Sequence, residues 1–279
     1  MGENTGISWC HHTFNPWIGC AKISPGCNNC YAEEWITNRM GRGEAWGKNG
    51  TRAQTKTWPD VRRWNRQAEA DGVRRRVFPS LCDPFECRDA AQMSILDDMW
   101  GLIAECPDLD FLLLTKRAGN IRGSLPEDWG PAGWANVWLG VSVESGEDSC
   151  VCGVSRRPVR DRVRVLSGVP AVVRFVSYEP AIGPPGQLLS GVDRLENPPD
   201  MWIYGGESGG QRRPEGIAGD SKAWARQLRR FCKVRKVAFW HKQSKAFRPG
   251  QGVELDGEII QQLPAPRPGS PLPGQRPLF

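Results

Sequence analysis

Cys20, Cys27 and Cys30 stand on one short segment, with six residues between the first two and two between the second pair. Three thiolates on one loop can hold three irons of a 4Fe-4S cubane. The fourth iron is then open to a ligand's amino and carboxylate groups, whereas clusters built for electron transfer usually have four cysteine ligands. Pro25 and Gly26 supply a turn that folds the loop back. The Cys27-x2-Cys30 pair is equally half of a zinc knuckle, which Cys10, His11 or His12 would complete to a tetrahedral site. Spacing alone leaves three readings open: a cluster, zinc, or unligated thiols.

A second set of chemical groups follows short apolar runs. These are Ser80, Cys82 and Asp83; Lys116 and Arg117; Ser142 and Glu144; Ser177 and Glu179; Gly205, Gly206, Glu207 and Ser208; and Lys242 and Gln243. Arg117 offers a planar fork for a carboxylate or phosphate, and Lys116 a point charge. Each group also has a plainer reading. Lys116 and Arg117 would serve equally in a salt bridge to a strand-end glutamate. Ser142 and Glu144 would serve in a helix cap, the glycines in an ordinary turn, and Cys82 in packing.

The elements that must position these groups follow from the apolar runs. Runs at 77–80, 111–115, 137–142, 172–177, 201–205 and 237–240 are short, β-branched or aromatic, and mostly non-alternating. That is how strands buried on both faces of a parallel sheet read. A further strand is expected at Trp17–Gly19, just before the cysteines. Helical spacing fills 90–105, with Met93, Leu96, Met99, Trp100 and Ile103 on one face. It also fills 220–232, where Asp220 or Ser221 would cap. The alternation predicts an α/β fold, a partial parallel (β/α) barrel of six to seven strands. The polar groups and the cysteine loop would then meet at the carboxyl ends of the strands. One domain is expected over 1–263. Its Gly-rich segment 41–57 reads as a lid, and a Pro-rich tail, disordered or extended, follows at 264–279.

Composition narrows the classes further. The chain has 279 residues, a net charge of +6 and ten cysteines. No signal peptide, myristoylation site or membrane-length apolar run is present, so a cytoplasmic location without membrane contact is expected. In a reducing compartment, closely spaced cysteines favour metal or catalysis over disulfides. Cys106 and Cys232 fall near helix ends and read as buried fillers. Arginine runs at 74–76, 156–164, 212–213 and 226–236 are either solvated helix faces or a phosphate-neutralising track. Of the thirteen tryptophans, Trp46 and Trp58 lie in or beside the Gly-rich segment, where a base could stack.

The cysteine segment with Asn15, Pro16, Trp17 and Tyr31 resembles the radical S-adenosylmethionine proteins, whose commonest spacing has a shorter first gap. The whole chain is similar to a phage- and prophage-associated radical-SAM-like family, often encoded beside a three-Cys-motif partner protein. The stretches that carry this likeness are 80–85, 114–117, 136–144, 174–180, 205–209 and 239–243. The resemblance implies a 4Fe-4S cluster on Cys20, Cys27 and Cys30, and S-adenosylmethionine as second cofactor. It further implies reductive formation of a 5′-deoxyadenosyl radical. Gly205, Gly206, Glu207 and Ser208 would then meet the methionyl group or the substrate, and Ser142 and Glu144 the ribose. Cys82, Lys116 and Glu179 are the catalytic candidates, Cys82 as hydrogen-atom donor. A base of a nucleic acid (DNA) is the expected substrate, in a bacterial host cell, with a flavodoxin- or ferredoxin-type electron donor. A peptide of a partner protein is the second substrate class. A zinc-stabilised nucleic-acid-binding module without catalysis is the alternative from another class.

Overall fold

The apolar runs become strands because each is buried on both faces, between a layer of helices and the inside of a curl. In this computed structural model the described residues are 2–87, 89–146, 159–208, 221–246 and 250–272. Seven strands form one sheet: β1 (His12–Thr13), β2 (Arg75–Phe78), β3 (Leu109–Thr115), β4 (Val137–Ser142), β5 (Val173–Ala181), β6 (Met201–Gly206) and β7 (Ala238–Gln243). They lie in sequence order and every pair is parallel. The sheet curls into a half-barrel, as the apolar runs predict.

Side chains alternate between the two faces. One set packs under the helices, among them α2 (Trp58–Asp71), α3 (Ala90–Ala104) and α7 (Ser221–Arg235). The other set fills the curl, where Trp9, Leu112, Trp138, Phe175, Ile203 and Trp240 share one apolar cluster. Gly140 makes this filling fit, because a Cβ there would lie 2.3 Å from the Phe175 ring. Period-2 alternation then carries each strand from apolar floor to polar rim. Leu112 and Leu114 lead to Lys116, Trp138 and Gly140 to Ser142, and Phe175 and Ser177 to Glu179.

One expectation changes, one helix has no expected counterpart, and the segment read as a lid has an internal anchor. The first strand is His12–Thr13, not Trp17–Gly19. Gly19 has φ +110°, and its backbone passes so close to the Ala45 carbonyl that no side chain fits. The chain therefore turns there and leaves only isolated bridges, Trp17 to Gln54 and Gly19 to Cys82. α2 has no counterpart among the expected helices. It starts with Pro59 in its first turn, buries Val61, Trp64, Asn65 and Ala68 at three- and four-residue steps, and ends on left-handed Gly72. The segment expected as a lid is anchored, since Arg52 is buried and donates to the carbonyls of Ala45 (2.5 Å) and Gly47 (3.0 Å).

The start of the Pro-rich tail is extended and docked. Arg267 pairs with Asp200, Ser270 bridges to Trp134 and Leu272 is buried. No described helix is long and apolar enough to cross a membrane.

Candidate active site

One cavity opens at the carboxyl ends of the strands. Cys20, Cys27 and Cys30 all line it. So do Cys82, Lys116, Ser142, Glu179, Gly206, Glu207 and Ser208. Its apolar floor includes Ile7, Trp9, Phe78 and Leu114.

The cysteine loop is clamped by a buried ion network. Arg117 donates to Asp83 Oδ2 (2.7 Å), to the Ala21 carbonyl (2.7 Å) and to Cys20 Sγ (3.5 Å). Glu86 accepts from the Ala21 amide (3.0 Å) and from both Nε and Nη2 of Arg52 (2.6 and 3.0 Å). Gln92 donates to the same carboxylate (3.1 Å). Both sides of the Ala21 peptide are thus held beside Cys20. The buried carboxylates are compensated on several sides, as desolvated charges must be.

Cys20, Cys30 and Cys82 sit where burial suppresses ionisation. Burial, with Asp83 adding to it and Arg117 opposing it, pushes Cys20 up to about 12. Burial also raises Cys30, and it lifts Cys82 well above the ordinary thiol range. A cationic group entering the loop would displace these protons.

The rim groups form two short chains. Lys116 Nζ donates to Ser142 Oγ (2.7 Å), which donates to the Glu179 carbonyl (2.8 Å). The Glu179 carboxylate pairs with Lys242. Across the cavity, Asn29 Nδ2 on the cysteine loop donates to Glu207 Oε1 (3.2 Å). The two glycines have packing reasons. A Cβ on Gly205 would lie 2.6 Å from the Glu179 carboxyl carbon, and one on Gly206 would lie 2.3 Å from the Lys245 amide. Gln243 holds Gly206 through its carbonyl (3.1 Å).

Two expected site residues do not line the cavity. Gly205 is one. Glu144 is the other: it is buried, takes Arg162 Nη1 at 2.8 Å, and packs under Gly26 of the loop. It supports the cysteine turn from below. Trp58 stacks edge-on against Phe14, whereas Trp46 lines the cavity. Cys106 and Cys232 are fully buried fillers. Cys150, Cys152 and Gly209 lie outside the described residues, as do Asp220 and the arginines at 156, 157, 212 and 213.

Several arginines of the remaining runs are engaged by carboxylates or backbone. Arg74 pairs with Asp110, Arg75 with Asp71, Arg226 with Asp256 and Arg229 with Glu258, while Arg76 donates to the Trp9 carbonyl. None of them lines the cavity. Sequence reasoning missed Asn29, Arg52 and Glu86 as parts of the site. Asn29 meets Glu207 178 residues on and Arg52 meets Glu86 34 residues on, so no local spacing reveals these pairs.

Three thiols from one loop, all opening on the cavity, are a donor set suited to three irons of a cubane. Among the described residues, no three His, Cys, Asp or Glu side chains are arranged as a metal site. The fourth zinc ligands that the sequence suggests are engaged elsewhere. Cys10 belongs to the apolar filling, His11 Nδ1 accepts from the Arg76 amide (2.8 Å), and His12 stacks on Trp64.

Residues 4–264 match the family described as "Protein of unknown function (DUF5131)", and the chain belongs to that family. No curated protein matches it. Among solved structures, a point variant of spore photoproduct lyase aligns with TM-score 0.51 at 10% identity, covering 90% of this chain and 78% of that one. Spore photoproduct lyase complexed with dinucleoside spore photoproduct aligns at 0.49 and 12% identity, covering 73% of this chain and 58% of the lyase. Streptococcus suis SuiB bound to precursor peptide SuiA aligns at 0.42 and 13%, covering 84% and 49%. The chain therefore spans under three fifths of the ligand-bound lyase. The likeness to spore photoproduct lyase shows the fold: an α/β parallel half-barrel.

Proposed function

We propose that this chain is a radical S-adenosylmethionine enzyme that modifies or repairs a base of a nucleic acid. One observation carries the reading: the three thiols of one loop open on the same cavity as the polar groups ending five successive strands. Cys20, Cys27 and Cys30 would hold a 4Fe-4S cluster, which when bound supplies reductive cleavage of S-adenosylmethionine. The electron would come from a flavodoxin- or ferredoxin-type donor. The protein's own part is to bind, orient and exclude water.

Glu207, fixed by Asn29, presents a carboxylate suited to the methionyl ammonium. Lys116, steadied by Ser142, faces the cavity with a cation suited to a carboxylate or phosphate. The Lys242 pair holds the Glu179 carboxylate at the rim. Tyr31 and Trp46 give the wall aromatic surface for a base. Burial keeps the Cys82 thiol protonated on that wall, which suits it to give a hydrogen atom to a substrate radical.

The test is anaerobic reconstitution with iron and sulfide, reduction, and an assay for 5′-deoxyadenosine from S-adenosylmethionine. Product above a Cys27→Ala control is expected. No wild-type product above that control, together with a zinc-loaded, colourless protein, would favour the binding-module reading instead.

A further inference from the structure

Among the large hydrophobic side chains exposed in the described residues, Tyr31 and Trp35 are the aromatic ones, each 44% exposed. Single exposed apolar residues are ordinary; adjacent ones at the mouth of a site are not. These two are one helical turn apart, on the helix that begins at Cys30. α1 (Tyr31–Glu34) runs directly into a π-turn over Trp35–Arg39, closed by the Met40 amide on the Trp35 carbonyl (3.1 Å). Side chains four apart share a face. Arg39 extends the stripe, its guanidinium lying 4.7 Å from the Trp35 ring centre. Tyr31 is fixed, because its hydroxyl donates to the Ser80 carbonyl (3.2 Å), and it also lines the cavity. Trp46 continues the aromatic lining on the cavity wall. Of the nearby basic side chains, Arg52 is buried on Glu86 and Lys22 and Arg42 pair with Glu33 and Glu44, so Arg39 is the cation set on the aromatic face.

We infer that the Tyr31–Trp35–Arg39 face is a stacking platform for single-stranded nucleic acid, which leads one base past Tyr31 into the cavity. The purpose of that delivery rests on the enzyme proposed above; the binding itself does not. Aromatic faces accept any base, and an arginine beside them adds both stacking and phosphate attraction. A duplex hides its base faces and would gain only the electrostatic part.

The full chain is titrated with a fluorescein-labelled oligo-dT of about 16 nucleotides, within the site sizes known for such grooves. A duplex of equal length and a polyglutamate of matched charge serve as competitors. We expect the single strand to bind tightest. Trp35→Ala should weaken it about tenfold, Trp35→Phe should restore most of the loss, and Arg39→Gln should flatten the salt dependence. Val234→Ala, an exposed site on α7, should change nothing. Equal binding of duplex or polyglutamate, or an affinity untouched by Trp35→Ala, would overturn the platform. Tighter binding of an uncharged peptide would overturn it as well. The 5′-deoxyadenosine assay needs no oligonucleotide, so failure of the platform and failure of the enzyme reading are distinct.

Discussion

Arg117 donates to the sulfur of Cys20 at 3.5 Å while its second nitrogen donates to the Ala21 carbonyl at 2.7 Å. One guanidinium thus holds a loop thiol and the peptide beside it, and Asp83 holds the guanidinium in turn. Groups behind metal ligands commonly set affinity by about 10–100-fold. Arg117→Met should therefore cut iron retention on dilution about tenfold, and Arg117→Lys should do nearly as badly because it lacks the fork. Iron per chain after gel filtration reads both. Wild-type retention in Arg117→Met would show that the clamp has no bearing on the loop.

Arg52 and Glu86 form the second half of the clamp, with side chains only 1% and 3% exposed. Arg52→Ala leaves Glu86 buried with Arg117 3.6 Å away as its remaining ion partner. Breaking a buried pair on one side costs about 3–5 kcal/mol. Urea denaturation should show a loss near the lower end, since Gln92 and the Ala21 amide still bind Glu86.

Gly140 and Phe175 should be coupled. Gly140→Ala places a methyl inside the Phe175 ring envelope, and overpacking of this kind costs about 1–3 kcal/mol. In a Phe175→Leu background the same change should cost much less. A double-mutant cycle by denaturation measures the difference, and strict additivity would contradict the packing described for the curl.

His12 predicts a pH dependence of stability. It is fully buried, stacked on Trp64 at 4.4 Å, and neither ring nitrogen has a hydrogen-bond partner among the described residues. Burial, with Arg75 and His11 adding to it, lowers its pKa from 6.5 to about 4. Between those values the unfolded chain binds a proton that the folded chain refuses. Stability therefore falls as pH drops from about 6.5 towards 4, by up to about 3 kcal/mol from this group. His12→Phe keeps the stack and removes the titration. Its stability should vary less over that window than the wild type's, with His11 and His241, also lowered by burial, still contributing.

Much of this architecture is readable in the residue order, and the exceptions have physical causes. β3 to β7 stand out because their residues are apolar on both faces. β1 does not, because it is two residues long and polar in type, His12 and Thr13, and is buried only by what packs on it. α2 hides behind its arginines, since its apolar face is just Val61, Trp64 and Ala68. The rule that polar groups follow strands located Lys116, Ser142, Glu179 and Glu207 at the cavity. It misplaced Glu144, because the chain has left β4 by then and Arg162 draws that carboxylate beneath the loop. The glycines at 205 and 206 read as a turn or as contacts to the methionyl group or substrate. That Glu179 and the Lys245 backbone crowd them is not legible, because those partners come from other strands' ends.

The most direct test of the central claim is the iron, sulfide and zinc content of anaerobically reconstituted wild type and single cysteine variants, with the electron paramagnetic resonance of the reduced wild type recorded with and without S-adenosylmethionine. The account predicts about four irons and four sulfides per wild-type chain, loss in Cys20→Ala, Cys27→Ala and Cys30→Ala, retention in Cys106→Ala, and a signal that changes when S-adenosylmethionine is added. Zinc in place of iron, a Cys106→Ala variant as depleted as Cys27→Ala, or a signal indifferent to S-adenosylmethionine would contradict it.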